Sequence, residues 1–129
     1  MARPVQFLPT MKKVEIVECY GKRIVQIDFS GCAPEHYGTV LAEAEKVICA
    51  EPPASVRALT LVEDTHFDPE AVEEMTGFAS RVSPHLRGNA MVGLTAMKKM
   101  IFGGIRPHYQ APVGLFDDPE TAKEWLARH

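Results

Sequence analysis

Between Met75 and Phe116 the chain has no aspartate or glutamate at all, although Arg81, Arg87, Lys98, Lys99 and Arg106 fall within that stretch. The acids gather on either side, in 63–74 and 117–124. A net charge of −3 over the whole chain gives no general case for nucleic acid or an anionic membrane as partner. Cysteine is scarce. Cys19, Cys32 and Cys49 are odd in number and form no CxxC, so no disulfide framework or thiolate metal site is indicated, and they read as reduced thiols of a cytoplasmic protein. No run approaches the roughly 20 apolar residues that span a bilayer, so no integral membrane association is expected. Residues 1–10 hold two prolines and no apolar core of signal-peptide length. No catalytic or metal motif with a strong signature is present, so no cofactor and no metal are expected.

What the chain does have is a repeated local grammar. Apolar runs lead into Pro34-Glu35, Pro69-Glu70 and Pro119-Glu120, each followed by a helix-period stretch. Proline suits the first helical position, where its missing N–H would be unpaired anyway, and an acid in the first turn suits the positive end of the helix dipole. At 129 residues, 46% hydrophobic and 24% charged, the chain has the scale and composition of one soluble domain. It divides into an N-terminal extension, 1–11, and an α/β domain, 12–129.

Residues 14–19 and 23–29 are β-rich runs around Tyr20-Gly21-Lys22, which predicts a hairpin. The first helix is expected from 34 to 50, with Tyr37, Val40, Leu41, Ala44 and Ile48 as its apolar stripe, stopped by Pro52-Pro53. Residues 58–62 and 90–95 read as strands buried on both faces. Asp68 is expected to cap a helix beginning at Pro69, burying Val72, Met75, Ala79 and Val82. Met97, Met100, Ile101 and Ile105 make a further helical stripe, interrupted by Gly103-Gly104. Residues 113–116 form a last strand, and Asp118 caps a closing helix that buries Ala122, Trp125 and Leu126. The order ββαβαβαβα predicts an open mixed β-sheet of about five strands with about four helices. Its first hairpin is antiparallel and the rest of the sheet parallel with right-handed crossovers.

Two stretches, Val92-Gly93-Leu94-Thr95-Ala96-Met97-Lys98-Lys99 and the run from Leu115 through Asp117-Asp118-Pro119-Glu120 to Trp125-Leu126, together with this element order, resemble the SpoIIAA-like group of the STAS (anti-sigma-factor antagonist) superfamily. That group shares features with CRAL-TRIO lipid-transfer domains. The resemblance implies a small non-enzymatic module that binds a protein partner or an apolar ligand. In the antagonists a serine within Asp-Ser-x-Gly, after the third strand, is phosphorylated. Thr65 in Glu63-Asp64-Thr65-His66-Phe67 takes that place, without the serine or the following glycine, and is the implied phospho-acceptor.

In an open α/β sheet, ligands gather at the carboxyl ends of the parallel strands. On this layout that edge collects Cys32, Asp64, Thr65, His66, Thr95, Lys98 and Asp117. Cys32 before the first helix is either a thiolate-prone nucleophile or a small residue at a corner. Asp64, His66 and Asp68 alternate as metal ligands would, but Asp68 is already used as a cap and no fourth ligand is evident. Lys98 and Lys99 open a helix at the end where the dipole disfavours cations, which marks them as an anion-binding pair. Arg106, His108 and Tyr109 join them if the Gly103-Gly104 break folds that loop back. Met75, Met91, Met97 and Met100 offer adaptable packing between the third helix and the sheet, where an apolar ligand would fit. The expected function is a cytoplasmic, non-catalytic binding or regulatory module for a protein partner or an apolar molecule with an anionic head-group. A small enzyme using Cys32 or His66 on an anionic substrate is the alternative. The first two strands are also expected to support a homodimer, because exposed strand edges tend to be covered.

Overall fold

Tyr20 and Gly21 both have positive φ, 53° and 75°, the backbone of a two-residue hairpin turn whose twist matches its flanking strands. Around it β1 (Val14–Cys19) and β2 (Lys22–Asp28) pair antiparallel, from Val14 opposite Ile27 to Cys19 opposite Lys22. This computed structural model describes residues 13–129; the N-terminal extension, 1–11, lies outside the described residues.

From β2 onward each strand is joined to the next by a helix and pairs parallel to it. The order is α1 (Tyr37–Cys49), β3 (Val56–Leu61), α2 (Pro69–Val82), β4 (Leu86–Val92), α3 (Ala96–Phe102), β5 (Val113–Phe116) and α4 (Pro119–Ala127). The strands lie side by side in sequence order, β1-β2-β3-β4-β5. The fold class expected from the sequence is therefore found: one mixed sheet, first pair antiparallel, four helices.

Crossovers of one hand that always step in the same direction put their helices on the same face. Accordingly α1 and α2 pack together over the larger core, while α4 covers the opposite face against β3, β4 and β5. β3 shows the consequence residue by residue: Ala58 belongs to the larger core and Leu59, next to it, to the smaller. A central strand buried on both faces has to read as a continuous apolar run. On α1 the buried residues are Tyr37, Val40, Leu41, Ala44 and Ile48, as the spacing predicts. Each large member of that stripe contributes roughly 1.5–3 kcal/mol by leaving water.

Besides Val72 and Trp125, which are only half-buried, three larger details differ from the sequence reading. Residues Pro34–His36 form a 3-10 turn before α1, so the regular helix begins at Tyr37. β4 starts at Leu86, four residues before the apolar run at 90 that signalled it. The third correction concerns α3. Met97 and Met100 do not face the core; they are 72% and 81% exposed. Phe102 is the buried residue of that helix, and Ile105 beyond it is buried as well.

Candidate functional site

The carboxyl edge of the sheet is drawn tight by backbone contacts. Gly31 N–H donates to Glu63 O at 3.3 Å and Gly93 N–H to Phe116 O at 3.2 Å. Gly93 has φ +99°, and a Cβ there would stand 2.5 Å from Glu63 Cγ, so no side chain fits where β4 turns into α3. Asp64 also adopts positive φ, 55°. Tyr37, fully buried, accepts from His66 N–H at 2.8 Å through its phenol oxygen, and its ring meets Phe29 edge-on at 5.6 Å. The loop after β3 is thus bolted to α1.

That bolt decides Thr65. Its side chain is 2% exposed, and its hydroxyl donates to Val62 O at 2.6 Å. While the loop is closed this oxygen is shielded from solvent. Asp64 and His66 are exposed on the same loop. Among the described residues no side chain hydrogen-bonds the His66 ring, and no group of three or more His, Cys, Asp or Glu is arranged to hold a metal. Cys32 is 9% exposed, burial pushes its thiol pKa upward, and its Sγ–H points at Ala33 O. It sits in a surface cleft of about 520 Å³ with Lys13, His36, Thr39 and Glu43. That cleft is open, mixed in polarity, and contains none of the α3 residues.

On α3, Thr95 is the N-cap, its hydroxyl accepting from Lys98 N–H at 3.3 Å. The Lys98 ammonium lies over the Phe67 ring, 5.8 Å from its centre, an arrangement that holds a cation against an aromatic face. Lys99 is exposed. Met97 and Met100 are exposed beside it, while Lys98 is half-buried. Phe67 and Thr95 thus meet at Lys98, one beneath its ammonium and the other capping its backbone N–H. Arg106 and His108 do not join them. Arg106 donates to Val113 O at 2.7 Å, at the start of β5, and His108 meets Ser80 Oγ at 3.2 Å, far along α2.

Beneath α3 lies a small apolar cavity of about 20 Å³, bounded by Leu41, Thr60, Met75, Met91, Phe102 and Tyr109. A space of that size holds about one water molecule. Leu94, Phe102 and Ile105, which are 6%, 2% and 1% exposed, clip the α3 segment over it. Tyr109, expected at the surface site, instead turns inward, its ring 6.3 Å from that of Phe102. Sequence reasoning missed Phe102, Thr60 and Asn89. Phe102 was out of step with the methionine stripe, and the other two are polar residues inside strands.

No family model matches this sequence, and no curated protein matches it. One solved structure is similar over most of both chains: an uncharacterized protein of the DUF3478 family from Shewanella loihica PV-4, described as having a SpoIIAA-like fold. It covers 88% of this chain and 91% of its own, with TM-score 0.67 and 13% identity. The fold is SpoIIAA-like. At that identity the likeness carries the architecture and no residue-level role, so the site rests on the geometry above. For the SpoIIAA-like sheet of this chain, that geometry is an exposed amphipathic helix closing a small apolar cavity, and no helix among the described residues is long and apolar enough to cross a membrane.

Proposed function

We propose that the protein is a non-catalytic binding module for an apolar molecule with an anionic head-group. The head is held by Lys98 and Lys99, and the chain passes under α3. One observation carries the reading: α3 turns Met97 and Met100 out to water while its buried residue, Phe102, forms part of the wall of the cavity beneath. Large apolar side chains gain by burial, so two exposed methionines flanked by lysines are a surface that gains on meeting an amphiphile. The helix is seven residues long and ends at Gly103-Gly104, so it can tilt away as a unit and withdraw Phe102. The alternative chemistry has less support, because the Cys32 thiol is raised rather than lowered and nothing orients His66.

The test is calorimetric titration with dodecanoate. Saturable binding is expected, weakened about 10-fold or more in Lys98→Glu/Lys99→Glu, a loss of about 1.4 kcal/mol or more. Because both lysines are on the surface, the thermal midpoint should shift little. No binding by the native chain would sink the carrier reading and move the weight to a protein partner on the same surface.

A companion proposal concerns assembly. β1 is an outer strand of the sheet, and Ile16 on it is 48% exposed. Among the described residues no strand pairs with the outer edge of β1, and such an edge with an exposed isoleucine is suited to pairing with a second copy. Sedimentation should then give a dimer that Ile16→Lys converts to monomer. A monomer at every concentration tried would remove the idea.

A further inference from the structure

Lys13 O accepts from Asp28 N–H at 2.7 Å, one pair before Val14 opposite Ile27 in the β1–β2 ladder. Bonded and unbonded pairs alternate along an antiparallel ladder, so Glu15, Val17 and Cys19 direct their backbone groups at β2. The N–H and C=O groups of Val14, Ile16 and Glu18 therefore point away from β2, along the plane of the sheet. Their side chains share one face. Val14 is buried in the larger core there, whereas Ile16 is 48% exposed and Glu18 is exposed as well. The other outer strand is different. β5 has four residues, and Pro112 and Phe116 accept from β4, so the backbone of Val113 faces outward. Arg106 donates to that outward carbonyl at 2.7 Å. A short edge covered by a charged side chain is one way proteins keep strands from pairing.

We infer that the chain forms a closed dimer in which β1 pairs antiparallel with β1 of a second copy, centred on Ile16, so that two sheets become one. This rests on the assembly proposed above and specifies its partner strand and register. The outward residues are self-complementary about a two-fold axis at Ile16. Val14 meets Glu18 of the second copy, Ile16 meets Ile16, and Glu18 meets Val14. Each such pair exchanges two bonds, roughly six in all. Other registers are worse. Sliding the pairing one way puts Glu15 opposite Glu15, like charges that repel. Sliding it the other way puts Ile16 opposite Glu18 and Val14 opposite Tyr20, which lies in the turn. Centred on Ile16, Glu15 and Glu18 each face a valine, and the two isoleucines bury one another. Both copies use the same surface and β5 is covered, so assembly stops at two. The α3 segment, between β4 and β5, lies across the sheet from this interface.

The experiment is cysteine cross-linking of the full chain in a Cys19→Ser background, oxidised with diamide at micromolar concentration and read on a non-reducing gel. Paired at Ile16, the two Cα atoms stand about 5.5 Å apart, within the span a disulfide closes. The control is Glu18→Cys, also exposed, which this register places roughly 14 Å along the strand from its own mate. Ile16→Cys is expected to form covalent dimer at least about 10-fold faster than Glu18→Cys. An equimolar mixture of Glu15→Cys and Val17→Cys keeps the isoleucine and is expected to cross-link as a heterodimer. Failure of both, in a native dimer that Ile16→Lys converts to monomer, overturns the register while the edge assembly stands. A dimer indifferent to Ile16→Lys, or a monomer at every concentration, removes both readings and leaves the edge to a different occupant, this chain's own residues 1–11 among them.

Discussion

Asp68 and Asp118 perform the same task at two helices. Each is in extended backbone, and each carboxylate accepts from first-turn N–H groups, Asp68 from Ala71 at 2.8 Å and Asp118 from Glu120 and Thr121 at 3.0 and 3.1 Å. Replacing Asp68 by alanine is expected to cost about 1 kcal/mol, seen as a lowered denaturation midpoint. Asp118 adds a bond from the Thr121 hydroxyl at 2.7 Å, and together these hold its pKa below the usual value. A depressed folded pKa means that its contribution is complete above the unfolded aspartate range, near about 4, and is lost as pH falls through the folded value. The midpoint gap between the native chain and Asp118→Ala should therefore close on acidification; a gap independent of pH would contradict this. Cys32 gives the opposite sign. With its thiol raised by burial, iodoacetamide should label it more slowly at neutral pH than an unfolded thiol, and rapid labelling would revive the nucleophile.

At the scale of elements, α1, α2 and α4 were legible because each carries a regular stripe and a capping or proline signal at its start. Helix α3 was legible in place but not in phase. Over seven residues a stripe of Met97, Met100, Ile101 and Ile105 is as regular as an inward stripe, provided the helix continues. It stops at Gly103, whose N–H closes back on Lys99 and Met100. Phe102 stands about 140° around the axis from Met97, and with Leu94 and Ile105 on either side it fixes which way the helix faces. Asn89 was illegible for another reason. Gly88-Asn89 has the chemistry of a turn, and only pairing with Ala58 on β3 makes it a strand residue. The strand-to-helix corner at Gly93 gives a direct check. Gly93→Ala places a Cβ against Glu63 at positive φ, and a cost of roughly 1–3 kcal/mol is expected in chemical denaturation. A neutral result would mean that the corner relaxes freely.

For the whole molecule, the two faces of the sheet are sealed unequally. Among the described residues, one carries α1, α2 and the α3 segment over the larger core and the other carries α4 alone. The strand order was inferable only as a tendency of crossovers to keep one hand, whereas the position of the opening is a property of packing that no single stretch encodes. If α3 is the part that moves, its amides should exchange with deuterium well before those of β3, whose neighbours pair on both sides. Equal protection of the two would argue against a mobile cover.

The side-by-side order of the strands also bears on how the chain comes to be folded. Because every strand docks on the one made just before it, the sheet can lengthen at a single growing edge while the chain is still being synthesised, with few distant pairings to wait for. Only the face under α4 must wait for the last element. Until that helix closes over Leu59, Ala90 and Val92, the nascent domain presents a bare greasy side to the cell, which makes this interval the one in which a chaperone has most to do.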